Sequence, residues 1–502
     1  MNPDPKHVPV AIIGGGHAGL SMSYYLQQQG IGHLVFEKHK AMHVWQNQRW
    51  DSFCLVTPNW QCQLPGYGYG YDGADPNGFM TKPELNLWLA GFKQSVNAPL
   101  LEGVSVNRVT PRLQGGFDIF PSAGNYSAGQ VVVASGGYHQ PIVPGLAERL
   151  PAGILQTHSE HYKTPGLLPP GEVLVVGSGQ SGAQIAEDLH LAGRKVHLAV
   201  GDAPRCARFY RGKDVVTWLA DMHYYALPVE KHPLREGVRD NTNHYVTGRD
   251  GGRDIDLRKF ALEGMRLYGL LNRLDATTLT FDPGLRAALD EADRVYNGIN
   301  ASIDKFIAER GIAAAPPSVY QPLWQPAQEV LTLDLAKSAI TSVIWCIGFQ
   351  SDFRWLDAPV FNGMGHPKHY RGGIRAVFGG CARCTISGGS NSAKSDRLCA
   401  RQNIGIGRIR LLGACESAGS DRTVSTVISN GSFYRKMTCI PSRSFRKIES
   451  LFDKIDYAKI VCSRKIAMSF SSKLHMSPSP PVLVFRTVVI KRWYLMGGLV
   501  VG

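Results

Sequence analysis

The chain has 502 residues, about three times the length of an ordinary domain, so one compact core is excluded. Hydrophobic residues at 44% and charged residues at 19% are soluble-globular values and exclude wholesale disorder, a collagen-like fibre and a polytopic membrane protein. The net charge of +14, from 54 basic and 40 acidic groups, would suggest a nucleic-acid or membrane partner, but its location argues otherwise. Residues 374–502 hold 21 Lys and Arg against 6 Asp and Glu, which leaves 33 basic and 34 acidic groups in the first 373. Cysteine divides the same way, with Cys54, Cys62, Cys206 and Cys346 in front and six more beyond. Ten cysteines without small-domain spacing, and no secretory signal before the first apolar run, favour a reducing cytoplasmic setting. No transmembrane segment is expected, because Arg486, Lys491 and Arg492 interrupt the apolar C-terminal stretch. No nucleic-acid partner is expected either.

The first predicted strand, Val8 to Ile13, runs into Gly14-Gly15-Gly16-His17-Ala18-Gly19 and then an apolar-periodic helix. Gly14, Gly16 and Gly19 form a GxGxxG turn. One glycine permits the turn, one lets a pyrophosphate approach the backbone, and one lets helix pack on strand. The next strand, from His33, ends in Glu37, where a carboxylate can accept from ribose hydroxyls. Val173 to Leu189 repeats the unit, with Gly177, Gly179, Ser181 and Gly182 in its turn. Its following strand, Lys195 to Val200, ends without an acid at Gly201, and Arg205, Arg208 and Arg211 follow. An arginine there can pair with a 2′-phosphate, which Glu37 would repel, so FAD is expected at the first site and NADPH at the second. A solvated basic loop is the other reading of these arginines. Further on, Asp282-Pro283 should open a long helix whose apolar positions, Leu285, Leu289, Ala292, Tyr296, Ile299, Ile303 and Phe306, share one face. That face suits internal packing, a homodimer contact or a substrate-channel wall.

Several motifs give a resemblance over about Val8 to Gly373. Val131-Val132-Val133-Ala134-Ser135-Gly136, with Pro141 and Pro144-Gly145, is similar to the strand and crossover that lead from an FAD domain into an NADPH domain. Val343 to Phe349 resembles the returning crossover, and Trp45 to Gly66 looks like a loop that covers the isoalloxazine ring. Together they resemble the single-component (class B) flavin-dependent monooxygenases, which include flavin-containing, Baeyer–Villiger and plant indole-pyruvate monooxygenases. More narrowly, the chain resembles bacterial-type oxidoreductases labelled potassium-transport flavoproteins. The resemblance implies an α/β fold of two nested Rossmann-like dinucleotide-binding domains, with an irregular C-terminal tail. The expected division is 1–165 for the first part of the FAD domain, 166–325 for the NADPH domain with a helical insertion, and 326–373 for the return. Implied too is the chemistry: NADPH reduces FAD, dioxygen adds at the flavin 4a carbon as a peroxide, and one oxygen atom passes to a small organic substrate. On the same basis Trp45 and Trp50 would shape the flavin pocket and Asn59 would supply a hydrogen bond at the flavin edge, unless it merely makes a turn after Pro58. His158 and Tyr162 fit the second half of the family fingerprint FxGxxxHxxxY, whereas Ala152 and Ile154 replace its Phe and Gly. His158 is therefore a candidate catalytic residue, or a histidine capping a loop between domains.

A flavin disulfide reductase or an NADPH oxidase would use the same nucleotide folds. A reductase needs a close redox pair, and Cys54 and Cys62 are eight apart. Cys381 and Cys384 have CxxC spacing but lie in the basic, Ser- and Cys-rich tail, and no metal site is expected. The abrupt change in composition at residue 374 is what a shifted reading frame would produce, and a truncated, inactive pseudo-enzyme follows if it is one. A genuine basic appendage is the alternative.

Overall fold

The computed structural model describes residues 5–69, 75–113, 115–232, 235, 243–363, 365, 367, 373–374 and 482–485. The apolar run of β1 (Lys6–Ile13) becomes progressively buried toward its end, as a strand covered on both faces should. Helix α1 (His17–Gln28) follows and β2 (His33–Glu37) pairs parallel to β1. After α2 (His43–Asn47) and α3 (Lys82–Val96) the chain adds β3 (Leu100–Glu102), β4 (Val106–Pro111), β5 (Phe117–Pro121) and β6 (Tyr126–Val133). In α3, Thr81 and Glu84 close a capping box. Strand β6 is parallel to β1, and its first half is antiparallel to β5. Its core joins Ala11, Ile13, Phe36, Phe117, Ile119, Val131 and Val133.

Beyond the short β7 (Gln140–Pro141), the chain builds a second sheet from β8 (Leu155–His158), β9 (Glu172–Val176), β10 (Val196–Ala199), β13 (Arg266–Tyr268) and β17 (Ile340–Trp345), in the order β13-β10-β9-β17-β8. Every pairing in it is parallel, and all of β9 is buried. Helix α4 (Gln180–Leu191) connects β9 to β10. Because β17 inserts between β9 and β8, this sheet draws on strands outside the expected interval 166–325. The insertion contains a ribbon of β11 (Phe209–Tyr210) and β12 (Lys213–Asp214), helices α5 (Val215–Asp221), α6 (Leu257–Leu262) and α7 (Leu285–Arg310), and an antiparallel sheet of β14 (Leu271–Asp275), β15 (Thr278–Phe281) and β16 (Thr332–Asp334). Then β18 (Phe349–Gln350) returns antiparallel to β7, so the two crossovers meet. The second nucleotide fold is thus nested within the first.

Helix α7 begins two residues later than Asp282-Pro283 suggests. Glu329 supplies the cap from elsewhere, accepting from the backbone N–H of Gly284 at 2.7 Å and of Arg286 at 2.8 Å, while Asp282 accepts from Asn272. Its apolar face packs within the chain: Leu285 and Leu289 join the cluster of Leu257 and Phe260, and Ile299, Ile303 and Ile307 join that of Val215, Trp218 and Leu219.

The tail from 374 onward lies outside the described residues, Cys381 and Cys384 included, except for two short strands. Here β19 (Gly373–Ile374) pairs antiparallel with β20 (Val482–Phe485), which lies parallel to β6. The apolar segment that sequence patterning assigns to no domain therefore extends the first sheet.

Candidate functional site

Each nucleotide fold presents the same glycine cradle. In the first, Gly14 has a φ of +113° and donates to Phe36 O at 2.8 Å. A Cβ on Gly14 would meet Ala134 O at 2.3 Å, and one on Gly19 would meet Gly14 O at 1.9 Å, so both positions exclude a side chain. A Cβ on Gly16, by contrast, would meet nothing within 4 Å, which leaves room for a pyrophosphate. Gly16 is also the N-cap of α1, with no side-chain cap, so the first N–H groups of the helix face the open side. Glu37 accepts from Gly15 N at 2.7 Å and from His39 N at 2.8 Å, which holds its carboxylate beside the turn.

In the second cradle Gly177 has a φ of +99° and donates to Ala199 O at 3.0 Å, and a Cβ on Gly182 would fall 1.9 Å from Gly177 O. Gly179 caps α4 without a side-chain partner, and half-buried Ser181 lies in the first turn. Since Gly14 bonds to Phe36 and Gly177 to Ala199, the residue that matches Glu37 is Val200, which is buried. No carboxylate occupies that position to repel a 2′-phosphate.

Arg205 and Arg208 do not face a phosphate. Arg205 is 2% exposed, with its Nε 2.9 Å from Asp293 and its guanidinium 3.9 Å from the Tyr320 ring centroid. Arg208 is 1% exposed, donates to Asp214 at 2.6 Å and to Val56 O at 2.7 Å, and covers the Phe79 ring. Arg211 pairs with Asp304. The expectation of a phosphate-binding arginine loop is corrected: α6, α7 and α5 present carboxylates that draw these side chains inward, and unpaired buried guanidiniums would be costly.

The loop that resembles a flavin cover is largely buried. Trp45 Nε1 donates to His17 Nδ1 at 3.4 Å, tying α2 to the first residue of α1. Burial lowers His17 to about 3, so it is neutral and can accept that bond. Trp50 packs edge-on to Phe53 with centroids 5.2 Å apart. Asn59 donates through Nδ2 to Asp75 O at 2.8 Å, while its buried Oδ1 has no partner among the described residues. The group left for a ligand is therefore an acceptor, where a donor was expected.

His158 is also corrected. Its Nε2 donates to Gly348 O at 3.2 Å and its Nδ1 accepts from Glu160 N at 3.2 Å, so both ring nitrogens are spent on backbone. Burial lowers its pKa, consistent with this neutral tautomer, and its ring meets Phe349 edge-on at 4.8 Å. The ring ties β8 to the returning crossover and has no nitrogen free for reacting atoms.

Two features had no sequence signal. Asp188 on α4 gathers three donors: Ser52 Oγ at 2.6 Å, Tyr162 OH at 2.6 Å and Arg249 Nη1 at 2.8 Å. The other is Arg49, whose guanidinium lies 5.0 Å from the ring centroid of Trp45, 5.7 Å from that of Phe53 and 5.3 Å from that of Tyr138. Among the described residues no group of His, Cys, Asp and Glu could hold a metal, and no helix is long and apolar enough to cross a membrane.

Residues 11–227 match the pyridine nucleotide-disulphide oxidoreductase family. The chain is 29% identical over 374 residues to an uncharacterized CzcO-like oxidoreductase of Geobacillus kaustophilus, covering 73% of this chain and 87% of that one. It is 29% identical over 210 residues to the indole-3-pyruvate monooxygenase YUCCA6 of Arabidopsis thaliana, covering 38% of this chain and 47% of that one. A solved flavin-containing monooxygenase from Stenotrophomonas maltophilia aligns over 74% of this chain and 88% of its own, at 22% identity and a TM-score of 0.43. Flavin monooxygenases use FAD and NADPH, and each cradle starts its helix at a glycine with no side-chain cap. With its two nested dinucleotide folds, the chain resembles class B flavin-monooxygenase-like FAD/NAD(P)-binding oxidoreductases.

Proposed function

We propose that the chain is a cytoplasmic monooxygenase that transfers one oxygen atom of dioxygen to a small organic substrate. The duplicated cradle carries this reading, because one chain that binds both a flavin and a nicotinamide dinucleotide can pass a hydride internally. Bound FAD, reduced by NADPH, supplies the oxygen chemistry. Gly14, Gly16 and Gly19 with the start of α1 would hold the FAD pyrophosphate, and Glu37 would accept from the ribose. Gly177, Gly179, Ser181 and Gly182 with the start of α4 would hold that of NADPH. Trp45 and Trp50 would exclude water, and Asn59 Oδ1 would accept from an N–H of the flavin or substrate. Tyr162 and Asp188 would fix α4 against the Ser52 loop, and so set the two cradles at a constant separation.

The described cysteines argue against a dithiol mechanism. Burial pushes the Cys54 thiol up to about 12, and Cys62 is raised further, so neither is a ready thiolate. Oxygen uptake by the FAD-loaded protein with NADPH tests the proposal. Oxygenated product in step with NADPH consumed is expected once a substrate is supplied, with hydrogen peroxide in its absence. NADPH-dependent cleavage of a disulfide without oxygen uptake would refute it.

A further inference from the structure

Arg49, half-buried under aromatic rings, differs from the buried arginines among the described residues. Arg205, Arg208 and Arg258 each hold a carboxylate within 3 Å. Arg49 has none within 4 Å among the described residues, and its one hydrogen bond runs from Nη1 to the carbonyl of neighbouring Gln48 at 2.9 Å. Desolvation lowers its pKa, with only the more distant Tyr138 and Glu160 acting the other way. Glu160 is held by Gln48 Nε2. Neighbouring Lys82 pairs with Asp51 at 3.0 Å and donates to Arg49 O, and Lys163 donates to Asn47 O and Glu160 O. Arg49 is thus the local cation whose donors are left open. The rings of Trp45, Phe53 and Tyr138 orient its plane, as cation–π contacts do. Its place is informative too. Tyr138 follows the first crossover, and its ring lies 4.6 Å, at a tilt of 40°, from that of Phe349, which ends the second.

We propose that Arg49 is an anion subsite where the two crossovers meet, and that the substrate it serves carries a carboxylate. The inference rests on reading the chain as an oxygenase with its reaction cleft there. A planar guanidinium presents a fork that matches a carboxylate in two parallel bonds. A single such group, with Glu160 nearby, suits a monoanion better than a phosphate dianion. The aromatic walls suit the apolar body of an organic acid.

The test uses the FAD-loaded, oxidised protein without NADPH. Butyrate, phenylpropionate and the neutral phenylpropionamide are titrated against tryptophan fluorescence and flavin absorbance, with NADP+ as a separate arm. The wild type should prefer phenylpropionate over its amide by roughly 10- to 100-fold, the range of a charge-assisted hydrogen bond. Arg49→Met should erase that preference and leave NADP+ affinity within about twofold, and Arg49→Lys should keep part of it because the point charge remains. Equal binding of acid and amide by the wild type, failure of every carboxylate to bind, or a preference that survives in Arg49→Met overturns the proposal. A loss confined to NADP+ would assign Arg49 to the dinucleotide and overturn it as well. Should Arg49→Met not retain FAD, an undiminished preference in Arg49→Lys overturns the forked contact. Bleaching of the wild-type flavin by NADPH is read on the same preparation. If bleaching fails while the preference holds, the oxygenase reading falls and the subsite stands.

Discussion

Replacing Gly19 by alanine and, separately, Gly182 by alanine should disable the two cradles one at a time. In each case the new Cβ would lie 1.9 Å from a backbone carbonyl oxygen of the preceding turn, which has no flexible end to move aside. The helix must therefore back away by more than about 1 Å to reach ordinary van der Waals separation. A hydrogen bond of about 2.9 Å between a helix N–H and a phosphate oxygen is then lost. Each bond to a charged group is worth about 1.5–3 kcal/mol, so losing two would weaken dinucleotide binding by roughly two to four orders of magnitude. Gly19→Ala should purify with little or no flavin and regain it only at high added FAD, read by absorbance and by quenching of FAD fluorescence on titration. Gly182→Ala should keep its flavin, reducible by dithionite, while its reduction by NADPH slows at subsaturating NADPH. Full flavin content in Gly19→Ala, or loss of flavin in Gly182→Ala, would refute the assignment of the cradles.

Tyr162→Phe removes a buried donor from Asp188, and should lower stability by about 1.5–3 kcal/mol in urea unfolding. Arg205→Met leaves Asp293 with one fewer cation and should cost about 3–5 kcal/mol in the same measurement. The NADPH-to-NADH preference, measured at low temperature where the variant stays folded, should not change, since Arg205 is committed to the interior. Burial raises Glu187 to about 7, so the folded state favours its protonated form. The stability this contributes is complete below the unfolded pKa of about 4.5 and is lost as pH rises through about 7, on the order of 3 kcal/mol in all. Glu187→Gln should therefore match the wild type near pH 4 and exceed it above pH 8 in unfolding titrations. An identical pH profile in the two proteins would show that Arg253 and Arg249 compensate the burial.

Local signals carried the fold. The turns at Gly14 and Gly177, the apolar runs into them and the crossovers at Val131 and Val343 are short-range patterns, and each occupies the place that its pattern implies. The face of α7 was legible for the same reason, through its helical period. What escaped the sequence depended on partners far along the chain. Nothing near Arg205 announces that Asp256 and Asp293 will converge on it, nor near Asp282 that Glu329 will cap α7. His158 lies within a recognisable fingerprint, yet the backbone groups of Glu160 and Gly348 decide what its nitrogens can do. Arg49 sits between Trp45 and Trp50, inside a loop already singled out, and only the arrival of Tyr138 from another segment sets it apart. Nor does the apolar C-terminal stretch signal that Val482 to Phe485 will pair with a strand some 350 residues earlier.

The central claim is that both dinucleotides act through one chain. Anaerobic mixing of the FAD-loaded protein with one equivalent of NADPH, followed in the visible flavin band, tests it most directly. The account predicts a yellow protein that bleaches fully, faster with NADPH than with NADH, and recovers its colour when air is admitted. A protein that takes up no FAD, or whose bound flavin stays oxidised with both nucleotides, would contradict it.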